Sequence, residues 1–476
     1  MRAHVAGAMH AEGYHSSPRP AWLQHPEDVN ALVPRLWASS VRRGSSGAIS
    51  VGGVDVRDLA REFGTPAYVV DEADFRARAG QFRDSFADAF EDLCGGADVY
   101  YAAKAFLCTA VARWVHEEGL HLDVCSGGEL EVAVRAGIPG ARIGMHGNNK
   151  SAAEIEAALR HGVGRIVLDS FEEIDRVAAL AGALGTVAPV LIRVTVGVEA
   201  HTHEYIATAH EDQKFGFSLS EGQAAEAVRR VLAQAPQLRL LGLHSHIGSQ
   251  IFDISGFEVA ARRVLGLHLE VAKEHGVELP ELDLGGGFGI AYTTEHDPLA
   301  VRDIAAPMAE IVERECRADA VAVPRISVEP GRAIAGPSTF TLYEVGTVKA
   351  VQLDGGASRR YVAVDGGMSD NVRTALYDAD FSCTLAGRAS DAPPVLSRVV
   401  GKHCESGDIV VKDEFLPADV RPGDLLAVPG TGAYCRSLSS QYNHVPRPPV
   451  VAVRDGRARP IVRRESIEDL LALDCD

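Results

Sequence analysis

From about residue 97 the sequence repeats one unit, a short apolar run that stops at a polar or glycine residue and is followed by an amphipathic stretch of helical period. The runs are VYYAA before Lys104, LHLDV before Cys125, ARIGM before His146, RIVL before Asp169, VLI before Arg193, LLGLH before His246, LDL before Gly285 and ISV before Glu329. They number about eight, which is what closes a parallel (β/α)8 barrel. The stretches GGELEVAVRAG, SAAEIEAALRHG and FEEIDRVAALAGALG read as the intervening helices, with glycine where a left-handed cap is favoured. In such a barrel the polar residues that end the strands gather on one rim, where catalytic groups project.

After residue 337 the texture changes to short alternating runs such as FTLYEVGTVKAVQL, RYVAVDGG, DIVVKDEFL and DLLAVPG, separated by Gly, Pro and Asp turns. This predicts an all-β second domain. AISVGGVDV, from Ala48 to Val56, has the same texture and is expected to add a strand to it. The resulting division is a flexible extension over 1–40, a strand segment over 41–70 that joins the β domain, the barrel over 71–337 and the β domain over 338–476. The first residues carry His4, His10 and Glu12 where a secretory signal needs an unbroken apolar core, so they read as an extension, with a transit peptide as the other reading.

A net charge of −18 argues against nucleic acid and anionic membranes as partners and leaves small molecules. The longest uncharged stretch, Val177 to Ile192, is too short and too punctuated by Gly182, Gly185 and Pro189 to span a bilayer; it reads as a helix end, a turn and a strand. The eight cysteines are scattered, with no C-x-x-C pair and no metal-ligand spacing, which suits reduced thiols in a cytosol and gives no ground to expect a metal.

Lys104 ends an apolar run, where partial desolvation makes an amine nucleophilic toward an aldehyde, although an isolated strand-end lysine more often snorkels to solvent. Gly285 to Gly287 follow a strand directly, so bare amides can approach a phosphate; the run lacks the dinucleotide spacing. EPGR ends the last barrel strand with Glu329, and a carboxylate facing a pyridine nitrogen keeps that ring protonated and electron-accepting. HSHIGSQ offers His246 to stack on a ring and Ser249 to donate to phosphate.

With YYAAKAF, LDVCSGGEL, HGNNKS, HSHIGSQ, DLGGGFGI, EPGR, CESGD and TGAY in this order, the sequence resembles the alanine-racemase-like, barrel-type pyridoxal-phosphate enzymes and, within them, the diaminopimelate decarboxylases. The resemblance runs from about residue 48 nearly to the C-terminus. It implies pyridoxal 5'-phosphate as cofactor and release of carbon dioxide from meso-2,6-diaminopimelate to give L-lysine. It implies that Lys104 holds the cofactor covalently, His246 stacks on its ring and Glu329 pairs with its nitrogen, while Ser249, Gly286, Gly287, Gly331, Arg332 and Tyr434 bind the rest of it. Arg332, Arg373, Tyr377, Glu405 and Tyr434 match the substrate-binding positions, and Cys404 matches the proton donor that reaches the neighbouring subunit's site. A cytoplasmic homodimer with shared active sites follows from the resemblance. The rivals are a decarboxylase of ornithine, lysine, arginine or carboxynorspermidine, a racemase, and a non-catalytic homologue. Arg373, Cys404 and Lys104 weigh against them in turn.

Overall fold

A computed structural model describes residues 19–197, 214–246, 248–352 and 358–475. They divide into two compact units, one made of Arg76–Gly289 and Pro298–Ala333, the other of the chain up to Phe75, Ile290–Asp297 and everything from Ile334 onward.

The first unit is the expected barrel. Its strands are β1 (Ala97–Ala102), β2 (His121–Val124), β3 (Ile143–Met145), β4 (Arg165–Leu168), β5 (Ala188–Thr195), β6 (Leu238–His244), β7 (Glu281–Asp283) and β8 (Arg325–Val328). Each pairs in parallel with the next, and β8 closes on β1 with Ile326 opposite Ala97. The strands read as uninterrupted apolar runs because both faces are covered; Ile166, Leu168, Ile192 and Leu243 have no solvent exposure. The uncharged stretch noted above resolves into the end of helix Phe171–Leu184, a left-handed Gly185 and β5. Among the described residues no helix is long and apolar enough to cross a membrane.

Local signals set the helix ends. Ser151 starts helix Ala152–His161 with a capping box, its hydroxyl accepting from the Glu154 N–H at 3.2 Å while Glu154 accepts from the Ser151 N–H at 2.9 Å; Gly162 ends it in the left-handed conformation. Just before this helix, Lys150 of the HGNNKS motif turns inward and donates to the carbonyls of Gly147 and Val167, each at 2.6 Å, and to Glu173 at 2.9 Å. This ion pair is fully buried and ties the loop after β3 to the end of β4. Removing one partner strands the other charge in the interior, so Glu173→Ala is expected to lower stability by about 3–5 kcal/mol. Chemical denaturation measures this, and a loss below about 1 kcal/mol would mean that Lys150 finds water instead.

A second buried cation lies inside the barrel. Arg165, on β4, donates to Asp283 of β7 and, at 2.8 Å, to Ser327 of β8, and its guanidinium lies 3.5 Å from the ring centre of Tyr100 on β1.

The second unit is built on a sheet in which the long strand Thr339–Gln352 pairs antiparallel with Ser358–Val364, Leu425–Pro429 and Ala67–Asp71. Ala67–Asp71 in turn lies parallel to Val450–Arg454. Its five residues are all buried, which suits a central strand covered on both faces. The run Ala48–Val56 instead forms the hairpin Ile49–Val51 and Val54–Asp55 of a separate three-stranded sheet with Arg42–Arg43. That small sheet shares the unit's core, where Ile49 and Val51 pack with Phe340, Leu342, Val451 and Val453. Within the stretch read as a flexible extension, Leu36 and Trp37 enter the same core, and Asn30 exchanges two hydrogen bonds of 2.9 Å with the backbone of Ser390. Residues 1–18 of that stretch lie outside the described residues.

Candidate active site

Lys104 sits in the single 3-10 turn Ala103–Ala105 that follows β1, and it lines a cavity of about 290 Å3. Around it stand Asp123, Cys125, Glu129, His146, Asn148, Arg193, His246 and Glu329, all in or just after barrel strands or at the start of the next helix. This is the rim on which a parallel barrel presents its strand ends.

Two of the expected groups are held by their neighbours. The Nδ1 of His246 accepts from the Gly286 N–H at 3.1 Å, and its burial depresses the imidazole pKa well below the usual value, so the ring is neutral. Glu329, after β8, has its Oε1 3.0 Å from His244 Nε2 and 3.3 Å from His146 Nε2. The latter nitrogen is also 3.1 Å from Asp123 Oδ1. Burial pushes Asp123 up to about 8 and raises Glu329, which the charge of Asp123 raises further, while burial brings His146 down to about 4.

The glycine run behaves as a cradle. A Cβ on Gly286 would lie 2.3 Å from the Glu329 carbonyl oxygen, and one on Gly287, whose φ is +112°, would lie 2.8 Å from that of Gly248. Only glycine lets these backbones approach. Ser249 accepts from Arg332 Nη2 at 2.7 Å, so a hydroxyl and a guanidinium are already joined beside that run. Gly331 is packed against β1, where a Cβ would meet the Ala102 carbonyl oxygen at 2.9 Å.

A lysine at a cavity rim, a neutral imidazole, a buried carboxyl and a glycine cradle next to Ser249 and Arg332 fit pyridoxal phosphate: an aldehyde, a flat ring, a ring nitrogen and a phosphate each have a matching group. The comparisons agree. Residues 73–336 match the family model described as "Pyridoxal-dependent decarboxylase, pyridoxal binding domain". The diaminopimelate decarboxylase of Mycobacterium leprae is 54% identical over 478 residues, covering all of both chains. That of Bacillus subtilis is 46% identical over 433 residues, 91% of this chain and 96% of the other. The crystal structure of the M. jannaschii diaminopimelate decarboxylase in co-complex with L-lysine superposes with a TM-score of 0.85 at 30% identity, over 92% of this chain and 98% of that one.

The chain belongs to the diaminopimelate decarboxylases. It is accordingly a pyridoxal-phosphate-dependent carboxy-lyase of the barrel type.

The structure brings Lys104, His246 and Glu329 to one cavity, and joins Ser249 to Arg332 and Gly286 to His246. The remaining expected residues belong to the other unit. There Arg373 and Tyr377 lie on the short helix Arg373–Tyr377, and the buried Arg373 guanidinium is 4.9 Å from the ring centre of Tyr292, 5.8 Å from Phe381 and 6.0 Å from both Tyr377 and Tyr434. Its Nε and Nη1 find no hydrogen-bond acceptor among the described residues. Cys404 and Glu405 occupy an exposed loop between strands Pro394–Val400 and Ile409–Pro417, where the Cys404 N–H donates to Asn443 Oδ1 at 3.2 Å.

Sequence reasoning assigned no role to Asp123, His146, Arg193, His244 or Tyr292. The first four lie in or directly after apolar runs, a signal shared with every rim residue, and barrel closure selects among them. Tyr292 follows the glycine run closely but belongs to the β unit, and nothing local marks that excursion.

Proposed function

We propose that the chain removes the carboxylate from one end of meso-2,6-diaminopimelate and releases L-lysine and carbon dioxide. The observation that carries this reading is the convergence of Lys104, His246 and Glu329 on one rim cavity, in a chain 54% identical to a diaminopimelate decarboxylase over its whole length.

Bound there, the cofactor supplies a protonated ring that accepts the electron pair left when the bond to carbon dioxide breaks. Lys104 Nζ provides its covalent attachment. A Glu329 carboxylate oxygen would accept from the protonated ring nitrogen, and the protonated Asp123 beside it spares the site a second negative charge. The neutral His246 offers a flat face without a competing charge. Ser249, Arg332, Gly331 and the amides of Gly286 and Gly287 would hold the phosphate, and Tyr434 is the further cofactor-binding residue of this reading.

For the substrate, a planar guanidinium that takes both oxygens of a carboxylate is the fitting partner. Arg373 is buried with two nitrogens that lack acceptors, so a carboxylate arriving there settles an uncompensated charge. Arg332 and Tyr377 assist, and Glu405 takes the distal ammonium. Cys404 Sγ–H delivers the proton to the carbon that has lost carbon dioxide. In this reading the working unit is a homodimer in which each protomer completes its neighbour's site, and the exposure of the loop bearing Cys404 and Glu405 supports it. The scattered cysteines support a cytoplasmic enzyme, and the net charge of −18 supports small metabolites over nucleic acid as partners.

A substrate panel tests the reading. Lysine release from the meso form should exceed that from the L,L and D,D forms, and ornithine, lysine and arginine should be decarboxylated at least about 100-fold less efficiently, since each leaves a substrate-binding guanidinium without its carboxylate. Equal turnover of ornithine would overturn it. In the same assay Arg373→Leu is expected to raise KM for diaminopimelate by about 10- to 100-fold, with a smaller change in kcat.

A further inference from the structure

The base of the barrel cavity gathers more unsatisfied polar atoms than a cofactor nitrogen needs. Among the described residues Asp123 Oδ1 and Oδ2, His146 Nε2, His244 Nε2 and Glu329 Oε1 are buried and lack a hydrogen bond of acceptable geometry, although they crowd together. In folded proteins more than about 90% of such atoms are satisfied, so a cluster of orphans aimed at one point marks a ligand. Asp123, His244 and Glu329 are each more than nine-tenths buried.

The spacing identifies the kind of ligand. His146 Nε2 is 3.1 Å from Asp123 Oδ1 and 3.3 Å from Glu329 Oε1, and His244 Nε2 is 3.0 Å from Glu329 Oε1. One ligand atom from each of His146, His244 and Glu329 lies within 4.8 Å of the other two. Bonds of about 2.0–2.1 Å at tetrahedral angles put ligand atoms about 3.3 Å apart, which is the separation of a four-coordinate zinc site. The donors come from after β3 (His146), from β6 (His244) and from after β8 (Glu329), with Asp123 of β2 beside His146, so the barrel fixes them without any loop having to close. Two imidazoles favour a zinc-like ion over magnesium or calcium, which prefer oxygen-only shells. Two carboxylates balance a divalent charge, and Arg165, whose Nη2 is 3.9 Å from Asp123 Oδ1, is already paired with Asp283.

We propose that in the cofactor-free chain His146, His244 and Glu329 bind one divalent cation of the zinc class, and that cation and cofactor exclude one another because both require Glu329. The exclusion rests on Glu329 being the partner of the ring nitrogen; the cation site does not. The cation is thus a gate on cofactor loading, set by the ratio of free zinc to pyridoxal phosphate. This departs from the metal-free expectation of the sequence, which considered cysteine spacing and not strand ends gathered by barrel closure.

The test uses the full chain stripped of cofactor. Calorimetric titration with Zn2+ should give one site per chain, and Co2+ should give the visible bands of a four-coordinate ion without a near-ultraviolet thiolate band. Added pyridoxal phosphate should abolish the Co2+ bands and release the metal to the dialysate. His146→Ala should weaken Zn2+ binding by at least about 100-fold. The competition arm needs no variant, so a poorly folded mutant does not protect the idea. Absence of stoichiometric Zn2+ binding, a thiolate band, unchanged affinity in a folded His146→Ala protein, or simultaneous binding of metal and cofactor each overturns the proposal. A chain that binds Zn2+ here but takes up no pyridoxal phosphate keeps the cation site and overturns both the gate and the proposed function.

Discussion

Lys104→Ala should abolish the visible absorbance of the bound cofactor and reduce lysine release by about 10⁴-fold or more. Two separate losses combine in it. Under the proposed role the amine would anchor the cofactor and release the product from it, so the variant would neither start nor finish a cycle. The turn Ala103–Ala105 carries this side chain beyond the end of β1 into the cavity, and alanine is compatible with the turn, so the fold itself should survive. Near-ultraviolet circular dichroism checks the fold, the absorbance spectrum checks the anchor, and a lysine-specific assay checks turnover. Turnover within tenfold of wild type would remove Lys104 from the chemistry.

Cys404→Ala should leave cofactor absorbance intact and lower kcat by about 10²- to 10⁴-fold, the range of a lost general acid. The exposed loop bearing Cys404 has little packing to lose, so stability should change by less than about 0.5 kcal/mol. The decisive experiment combines the two variants. If Cys404 serves the neighbouring protomer, a mixed dimer of Lys104→Ala and Cys404→Ala chains contains one site with both residues intact. Random reassortment should then restore about a quarter of wild-type activity from two inactive preparations. No recovery despite demonstrated subunit exchange would place the cysteine in its own protomer's site or outside the reaction.

The barrel was legible because a parallel strand covered on both faces must be written as an unbroken apolar run, and all eight runs became strands. Lys104, His246 and Glu329 were legible because strand ends in this fold point to one rim. The liaison of Asp123 with His146, His244 and Glu329 was not: it arises from closure across strands far apart in sequence, and each residue alone looks like a place where burial stops. The β unit was read as a texture and not as a pairing. Ala67–Asp71 is short and apolar, and only the sheet itself reveals that it runs between Thr339–Gln352 and Val450–Arg454. The excursion Ile290–Asp297 was hidden for a related reason, since the ring of Tyr292 finds Phe381 at 5.1 Å and Arg373 only after the chain has folded.

That central strand has a consequence for synthesis. Ala67–Asp71 leaves the ribosome before any residue of the barrel, yet both of its hydrogen-bonding neighbours are translated only after the barrel. The barrel can assemble while this hydrophobic segment still waits with both edges bare, which is the condition under which strands recruit unwanted partners. A message truncated ahead of Val450 would therefore yield a chain with a finished barrel and a permanently open edge on this strand, a species for chaperones and proteases to clear.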